Sequence, residues 1–308
     1  MTNVPAKKGM IVGVDGSQGS IAALRWAAAR TAQFGPIRPI TTWHYPWWMT
    51  ATPFPGAAIP PPSDQLRDEA RQEVERILSE VLGEQGRRNC VDPIITRQRA
   101  GRVLVDEGAD ASLIVVGTRG HGAALDALLG SVSLHVVSHA SVPVVVIPDR
   151  ADLSDPIRRI VVGIDSSDDA VTALAWALQH APDDASIEVV HVWHDALSIL
   201  PDHGPIPADL SELQERAARQ TLDTAVVKAT LIAGGSSRRV IHRLEYGDPR
   251  NVLRSVANDS DLLVLGAQGH HGVAHLLLGS VTTGLLHQPS LATVVVPAHR
   301  DTEPKIGD

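Results

Sequence analysis

Gly117, Gly120, Gly130 and Ser131 stand at the spacing G-x2-G-x9-G-S, and the same spacing returns at Gly266, Gly269, Gly279 and Ser280. Each set follows a short apolar run, Leu113-Ile114-Val115-Val116 or Leu262-Leu263-Val264-Leu265, and leads into a helical pattern. A glycine-rich loop between a buried strand and a helix start presents unpaired backbone N–H groups and the positive end of the helix dipole. That is chemistry for holding phosphate. In this reading Gly117 and Gly266 let a nucleotide approach the backbone, while Gly120, Gly122, Gly269 and Gly272 allow positive φ. Ser131 and Ser280 open the following helix with a hydroxyl and an N–H, and Val132, Ser133, Val281 and Thr282 can add one more of each. The plainer account makes the glycines turns and the serines helix caps. A turn alone, however, does not call for three glycines at fixed spacing twice over.

Inside the loops, Thr118 and Arg119 match Ala267 and Gln268. Arg119 can pair with phosphate, in which case the two sites differ in affinity; if it points to solvent they do not. His121 and His270 share one loop position and can touch phosphate or stay solvated. Other constellations are weaker. His135 and His139 have the i, i+4 spacing of metal ligands but no acidic residue between them, and their counterparts are Gly284 and Gln288. No G-x4-G-K-[ST] or G-x-S-x-G occurs, so the phosphate lysine of a P-loop and a nucleophile elbow are both missing.

The elements that must position these loops also repeat. Ile11-Val12-Gly13-Val14-Asp15 returns as Val161-Val162-Gly163-Ile164-Asp165, and Ala23-Leu24-Arg25-Trp26-Ala27 as Ala173-Leu174-Ala175-Trp176-Ala177. An offset of about 150 positions sustained across a whole half implies duplication of an entire domain of ordinary size. We therefore expect domains at 1–150 and 151–308, joined through the polar, proline-bracketed stretch Pro148 to Pro156. In the first half strands are expected at 10–14, 37–43, 94–99, 113–116 and 144–147. Helices are expected near 20–34, 64–85, 102–108 and 131–139. The second half mirrors this and ends at Thr293-Val294-Val295-Val296. Continuous Val/Ile/Leu strands alternating with helices imply an α/β fold, two tandem doubly wound open parallel sheets with helices on both faces. Such sheets bind ligands beyond the carboxyl ends of their strands.

The 27 basic and 35 acidic residues leave a net charge of −8, so nucleic acid is not an expected partner. Cys90 is the single cysteine and excludes an internal disulfide, which fits a reducing compartment; it is read as a packing residue. No signal core and no apolar stretch of about 20 residues is evident, so a cytoplasmic protein without a membrane span is expected.

Taken together, the two glycine loops, the Asp closing each first strand and the valine-rich last strands resemble the universal stress protein family in its tandem, ATP-binding form. The likeness covers 8–148 and 157–298. It implies five strands per domain in the order 3-2-1-4-5 and one ATP site per domain across the first and fourth strands. Gly13 with Asp15, and Gly163 with Asp165, would border these sites. The aspartates would accept from ribose hydroxyls or reach a metal, Mg or Mn on the phosphates being allowed. Capping the first helix is their alternative role. Adenine would lie against the backbone at Thr42 and Val192. The family further implies a stress-response regulator whose ATP occupancy changes its conformation or its binding of an unknown protein partner. A slow ATPase or phosphoryl-transfer enzyme and a scaffold with structural ATP stay as alternatives. The last strands would meet each other within one chain, leaving outer faces for a homodimer. Trp43 to Pro62 has no aromatic-rich counterpart; it could cap the first site, serve a partner, or fold back on the domain.

Overall fold

The computed structural model describes residues 9–43, 63–120, 129–149, 156–194, 208–235, 238–269, 278–287 and 289–297. The first half contains strands β1 (Met10–Gly13), β2 (Ile37–Thr42), β3 (Ile94–Thr96), β4 (Leu113–Gly117) and β5 (Val144–Ile147). Its helices are α1 (Gln18–Ala28), α2 (Thr31–Phe34), α3 (Ser63–Arg87), α4 (Ala100–Gly108) and α5 (Ser131–His139). The second half repeats the order with β6 (Arg159–Ile164), α6 (Asp168–His180), β7 (Ser186–Trp193), α7 (Ala208–Ile232), β8 (Val240–Tyr246), α8 (Pro249–Ala257), β9 (Leu262–Gly266), α9 (Ser280–Leu286) and β10 (Ala292–Val296). Two compact units result, Met1–Val136 with Ile147–Ser154, and Val137–Val146 with Asp155–Asp308.

Strand order is β3-β2-β1-β4-β5 in the first half and β8-β7-β6-β9-β10 in the second, the 3-2-1-4-5 winding in both. Pairing is parallel, with Met10 beside Ile37 and Leu113, and Ile160 beside Ile187 and Leu262. The one departure from two separate parallel sheets is at the last strands. There β5 runs antiparallel to β10, with Val145 opposite Val294 and Val144 opposite Val295. Each strand thereby pairs an edge that the 3-2-1-4-5 order would otherwise expose.

Leu113 to Val116 and Leu262 to Leu265 are buried throughout, as strands covered on both faces must be. On one face of the second sheet Val161, Val190, Leu263 and Leu265 pack with Leu253, Val256 and Leu285 from α8 and α9. The helix expected over 20–34 breaks in two. Arg30 donates to the Trp26 carbonyl (3.0 Å) and its guanidinium lies 4.3 Å from the Trp26 ring, closing α1 before α2 begins. Gly83, at φ 61°, kinks α3. Cys90 is partly buried, and burial pushes its thiol up to about 11, which suits packing and leaves little thiolate.

Glu188 on β7 is nearly buried between Arg159 (2.7 Å) and Arg243 (2.9 Å). Burial works to raise its carboxyl, but the hydrogen bonds and charges of Arg243 and Arg159 outweigh it and hold the pKa below the ordinary glutamate value. A depressed folded pKa means stability that is present above the unfolded pKa and is lost as pH falls through the folded one. Acid unfolding of Glu188→Gln should therefore be shallower in that window than wild type, with about 1–2 kcal/mol less stability at neutral pH. Parallel acid-unfolding profiles would show that the pair contributes nothing.

Candidate functional site

Both glycine loops leave the carboxyl end of the fourth strand of their half, and both are pinned by the same bonds. Thr118 N–H donates to Ile147 O (2.9 Å) and Gly130 N–H to Thr118 O (2.7 Å). Likewise Ala267 N–H donates to Val296 O (2.9 Å) and Gly279 N–H to Ala267 O (2.8 Å). The loop is thus a closed ring, its first residue hydrogen-bonded to the last residue before the helix.

The reason for Gly117 differs from the expected one. A Cβ there would lie 2.5 Å from the Gly19 carbonyl carbon and 2.8 Å from its Cα and O, so the missing side chain admits helix α1. Gly266 likewise admits α6, with the Asp169 carbonyl carbon and Cβ at 2.8 Å. Gly13 and Gly163 also face neighbouring side chains, Leu104 at 3.3 Å and Leu265 at 2.9 Å.

Gly120 and Gly269 do not adopt positive φ, contrary to expectation. Their glycine requirement is close approach. A Cβ on Gly120 would strike Asp15 Oδ2, and one on Gly269 would lie 2.8 Å from Asp165 Oδ2. The loop backbone and the aspartate at the end of the first strand therefore border one another in both halves. His121, Gly122, His270 and Gly272 lie outside the described residues, as do 44–62 and 195–207.

The aspartates are not the helix caps. Ser17 and Ser167 fill that role, accepting from Ser20 N–H and Ala170 N–H at 3.2 Å. Asp15 Oδ1 accepts from Ser17 N–H (3.0 Å) and its hydroxyl (2.6 Å). Asp165 Oδ1 accepts from Ser167 N–H (2.9 Å) and its hydroxyl. The D-x-S spacing shared by the halves was the readable signal for these serines.

Ser131 and Ser280 are exposed in the first turns of α5 and α9, and Val132 is exposed beside Ser131. Val281 packs against the second-half core. The buried hydroxyls of Ser133 and Thr282 donate instead to Gly117 O (2.6 Å) and Gly266 O (2.8 Å). Their protons hold the strand end. Thr42 ends β2 and Val192 is the last residue but one of β7, both partly buried. One residue earlier, Thr41 donates to Val14 O (2.7 Å), and His191 Nδ1 donates to Ile164 O (2.8 Å). Position 41/191 thus ties the second strand to the end of the first.

Arg119 Nε is buried and has no hydrogen-bond partner among the described residues. The loop of the first half thus carries a cationic donor short of an acceptor. Two carboxylates that the sequence did not single out sit behind the loops. Asp149 Oδ1 accepts from the Thr118 hydroxyl (3.1 Å), and Asp169 Oδ2 from Gln268 N–H (2.8 Å).

Both histidines of the i, i+4 pair are exposed. His135 covers Gly101 of α4, where a Cβ would lie 2.7 Å from His135 Cδ2, and the second half reverses the pair by laying Arg250 over Gly284. Among the described residues no three His, Cys, Asp or Glu side chains gather as a metal site, and no helix is long and apolar enough to cross a membrane.

The universal stress protein family model matches residues 8–148 and again 156–297. The chain belongs to that family. A universal stress protein of Mycolicibacterium smegmatis is 31% identical over 312 residues, covering 96% of this chain and 99% of the relative. One from Mycobacterium tuberculosis is 31% identical over 310 residues, with the same coverages of 96% and 99%. In fold, the chain resembles the crystal structure of a universal stress protein from Archaeoglobus fulgidus, with a TM-score of 0.62 and 18% identity over 95% of this chain and 99% of that one. It is a tandem universal stress protein, with the family domain present twice.

Proposed function

We propose that this tandem universal stress protein binds ATP, one molecule per domain, and that occupancy regulates its conformation or its binding of a protein partner. The observation that carries the reading is the repeated meeting of a glycine loop with the first-strand carboxylate, Gly120 against Asp15 and Gly269 against Asp165. A residue set of this kind fits a nucleotide. Loop N–H groups and the Ser131 or Ser280 hydroxyl suit phosphate, the aspartates suit ribose hydroxyls, and the backbone at Thr42 or Val192 suits an adenine edge. The orphaned Arg119 Nε adds a charged donor in the first loop. ATP, once bound, supplies a γ-phosphate whose presence or loss can distinguish two states. A Mg or Mn ion on the phosphates, cytoplasmic residence and a homodimer belong to the same reading.

Denaturing the purified protein should release ATP, with ADP, at up to two molecules per chain. Protein that carries no nucleotide and shows no binding by titration overturns the reading. Single-turnover hydrolysis should be slow or absent, because no P-loop lysine is present.

Arg119→Ala should weaken the first site about 10- to 100-fold, the worth of a charge-assisted hydrogen bond of about 1.5–3 kcal/mol, and leave the second site unchanged. Calorimetric titration of each site, the other disabled, checks this. Equal affinities before and after the substitution would place the guanidinium off the phosphates.

A further inference from the structure

The two loops are braced from behind by carboxylates that come from non-equivalent places in the sequence. In the second half the brace is Asp169 in the first turn of α6, where it is buried and accepts from Gln268 N–H at 2.8 Å. The position 150 residues earlier is Gly19, which has no side chain to offer. That space is filled, however. A Cβ on Gly19 would lie 2.6 Å from Asp149 Oδ1, with Arg119 O at 3.0 Å and Gly117 Cα at 3.3 Å, so an oxygen of Asp149 stands where the side chain of Asp169 begins in the other half and the loop backbone lies close beside it. Asp149 follows β5, in the stretch that leads out of the first domain, and accepts from the hydroxyl of Thr118, the loop residue next to Arg119. The remaining loop contacts correspond: Ser17 Oγ lies 3.2 Å from Arg119 O and Ser167 Oγ 3.4 Å from Gln268 O.

We propose that Asp149 and Asp169 are loop-positioning residues, two solutions to one requirement for a carboxylate behind the glycine loop. The requirement is physical. Residues 118–119 and 267–268 follow directly on a buried strand, and each pair directs a donor at a carboxylate, the Thr118 hydroxyl at Asp149 and the Gln268 N–H at Asp169. Without an acceptor there, a buried donor is left unsatisfied and its desolvation is uncompensated. In the second domain the brace is internal to the strand–helix unit. In the first it is carried by Asp149, two residues after β5, so this one support of the first loop depends on where the chain after β5 lies. Nucleotide affinity of the first site should then depend on the chain around Asp149, whereas the second site should be indifferent to it. This consequence rests on the ATP-binding reading; the bracing itself does not.

Amide hydrogen exchange on the full chain tests the brace without ligand. Asp169→Ala should speed exchange of the Gln268 amide at least tenfold while the amides of β6 and β9 keep their protection. Asp149→Ala should do the same across 117–120 and spare the second loop. Asp149→Asn and Asp169→Asn keep an acceptor oxygen and should retain most of the protection. The decisive variant is Asp149→Ala combined with Gly19→Asp, which gives the first domain the arrangement of the second and should restore slow exchange across 117–120. Unchanged loop exchange in both alanine variants, or failure of Gly19→Asp to restore it, overturns the proposal. ATP titration of the same proteins is read separately. Wild-type protein that binds no ATP would defeat the functional reading and leave the exchange result standing; a wild type that binds, with Asp149→Ala weakened at the first site alone, supports both.

Discussion

Gly117→Ala should lower the stability of the protein by about 2–4 kcal/mol, whereas Gly120→Ala, three residues away in the same motif, should cost about 1 kcal/mol or less and act on the ligand site. The difference lies in what each new Cβ meets. At Gly117 it meets backbone, the Gly19 carbonyl carbon at 2.5 Å and its Cα and O at 2.8 Å, so α1 must move off β4 to admit it. At Gly120 it meets Asp15 Oδ2, the end of a side chain with the next atom 3.6 Å away. The carboxylate can turn, but it then leaves the position in which Ser17 holds it. ATP affinity of the first site should fall about tenfold in Gly120→Ala, with a melting temperature near that of wild type. Gly266→Ala and Gly269→Ala should repeat the contrast in the second half, Gly266 meeting the Asp169 carbonyl carbon at 2.8 Å. Thermal unfolding with nucleotide titration on each variant decides. A Gly117→Ala protein that melts with wild type would mean that α1 does not rest on that glycine.

That contrast also marks how far the sequence could be read. The glycines announced themselves by spacing, and the family follows from them. Spacing alone does not say which way a missing side chain would have pointed. Gly117 reads like a gap for ligand and is a gap for a helix; Gly120 reads like a turn and is a gap for a carboxylate. Strands were legible because buried parallel strands are continuous Val/Ile/Leu runs, as Leu113 to Val116 is. The end of α1 was not, because Ala27 to Thr31 keeps a helical pattern and the break comes from Arg30 folding back on Trp26. The braces behind the loops escaped for a different reason. Comparing the halves position by position pairs Asp169 with Gly19 and reads a loss, while the compensating carboxylate sits at Asp149, where the repeat is no longer in step. An internal repeat exposes what both copies kept and conceals what each solved separately.

The antiparallel seam of β5 and β10 carries the other large effect. Val145 and Val294 face each other across it, both fully buried, with Val144 opposite Val295 and Val146 opposite Thr293. Thr293 is buried as well, and its hydroxyl donates to Leu291 O at 3.2 Å, so the one polar side chain in the register is satisfied. A carboxylate at Val145 would find no such partner in the register. Val145→Asp should therefore cost about 3–5 kcal/mol, the price of an unpaired buried charge, and lower the melting temperature by roughly 5–15 °C. Val145→Ile, which only adds a methyl, should stay within about 1–2 kcal/mol of wild type. The loops are tied to Ile147 O and Val296 O rather than to the substituted residue itself, so ATP affinity measured below the melting transition should fall less than twofold in Val145→Asp, which separates loss of pairing from damage to the site. Because the affected register belongs equally to β10, Val294→Asp should reproduce the loss. If Val145→Asp melts with wild type while Val294→Asp does not, the two strands do not share a buried seam in solution, and each last strand would have to find its own cover.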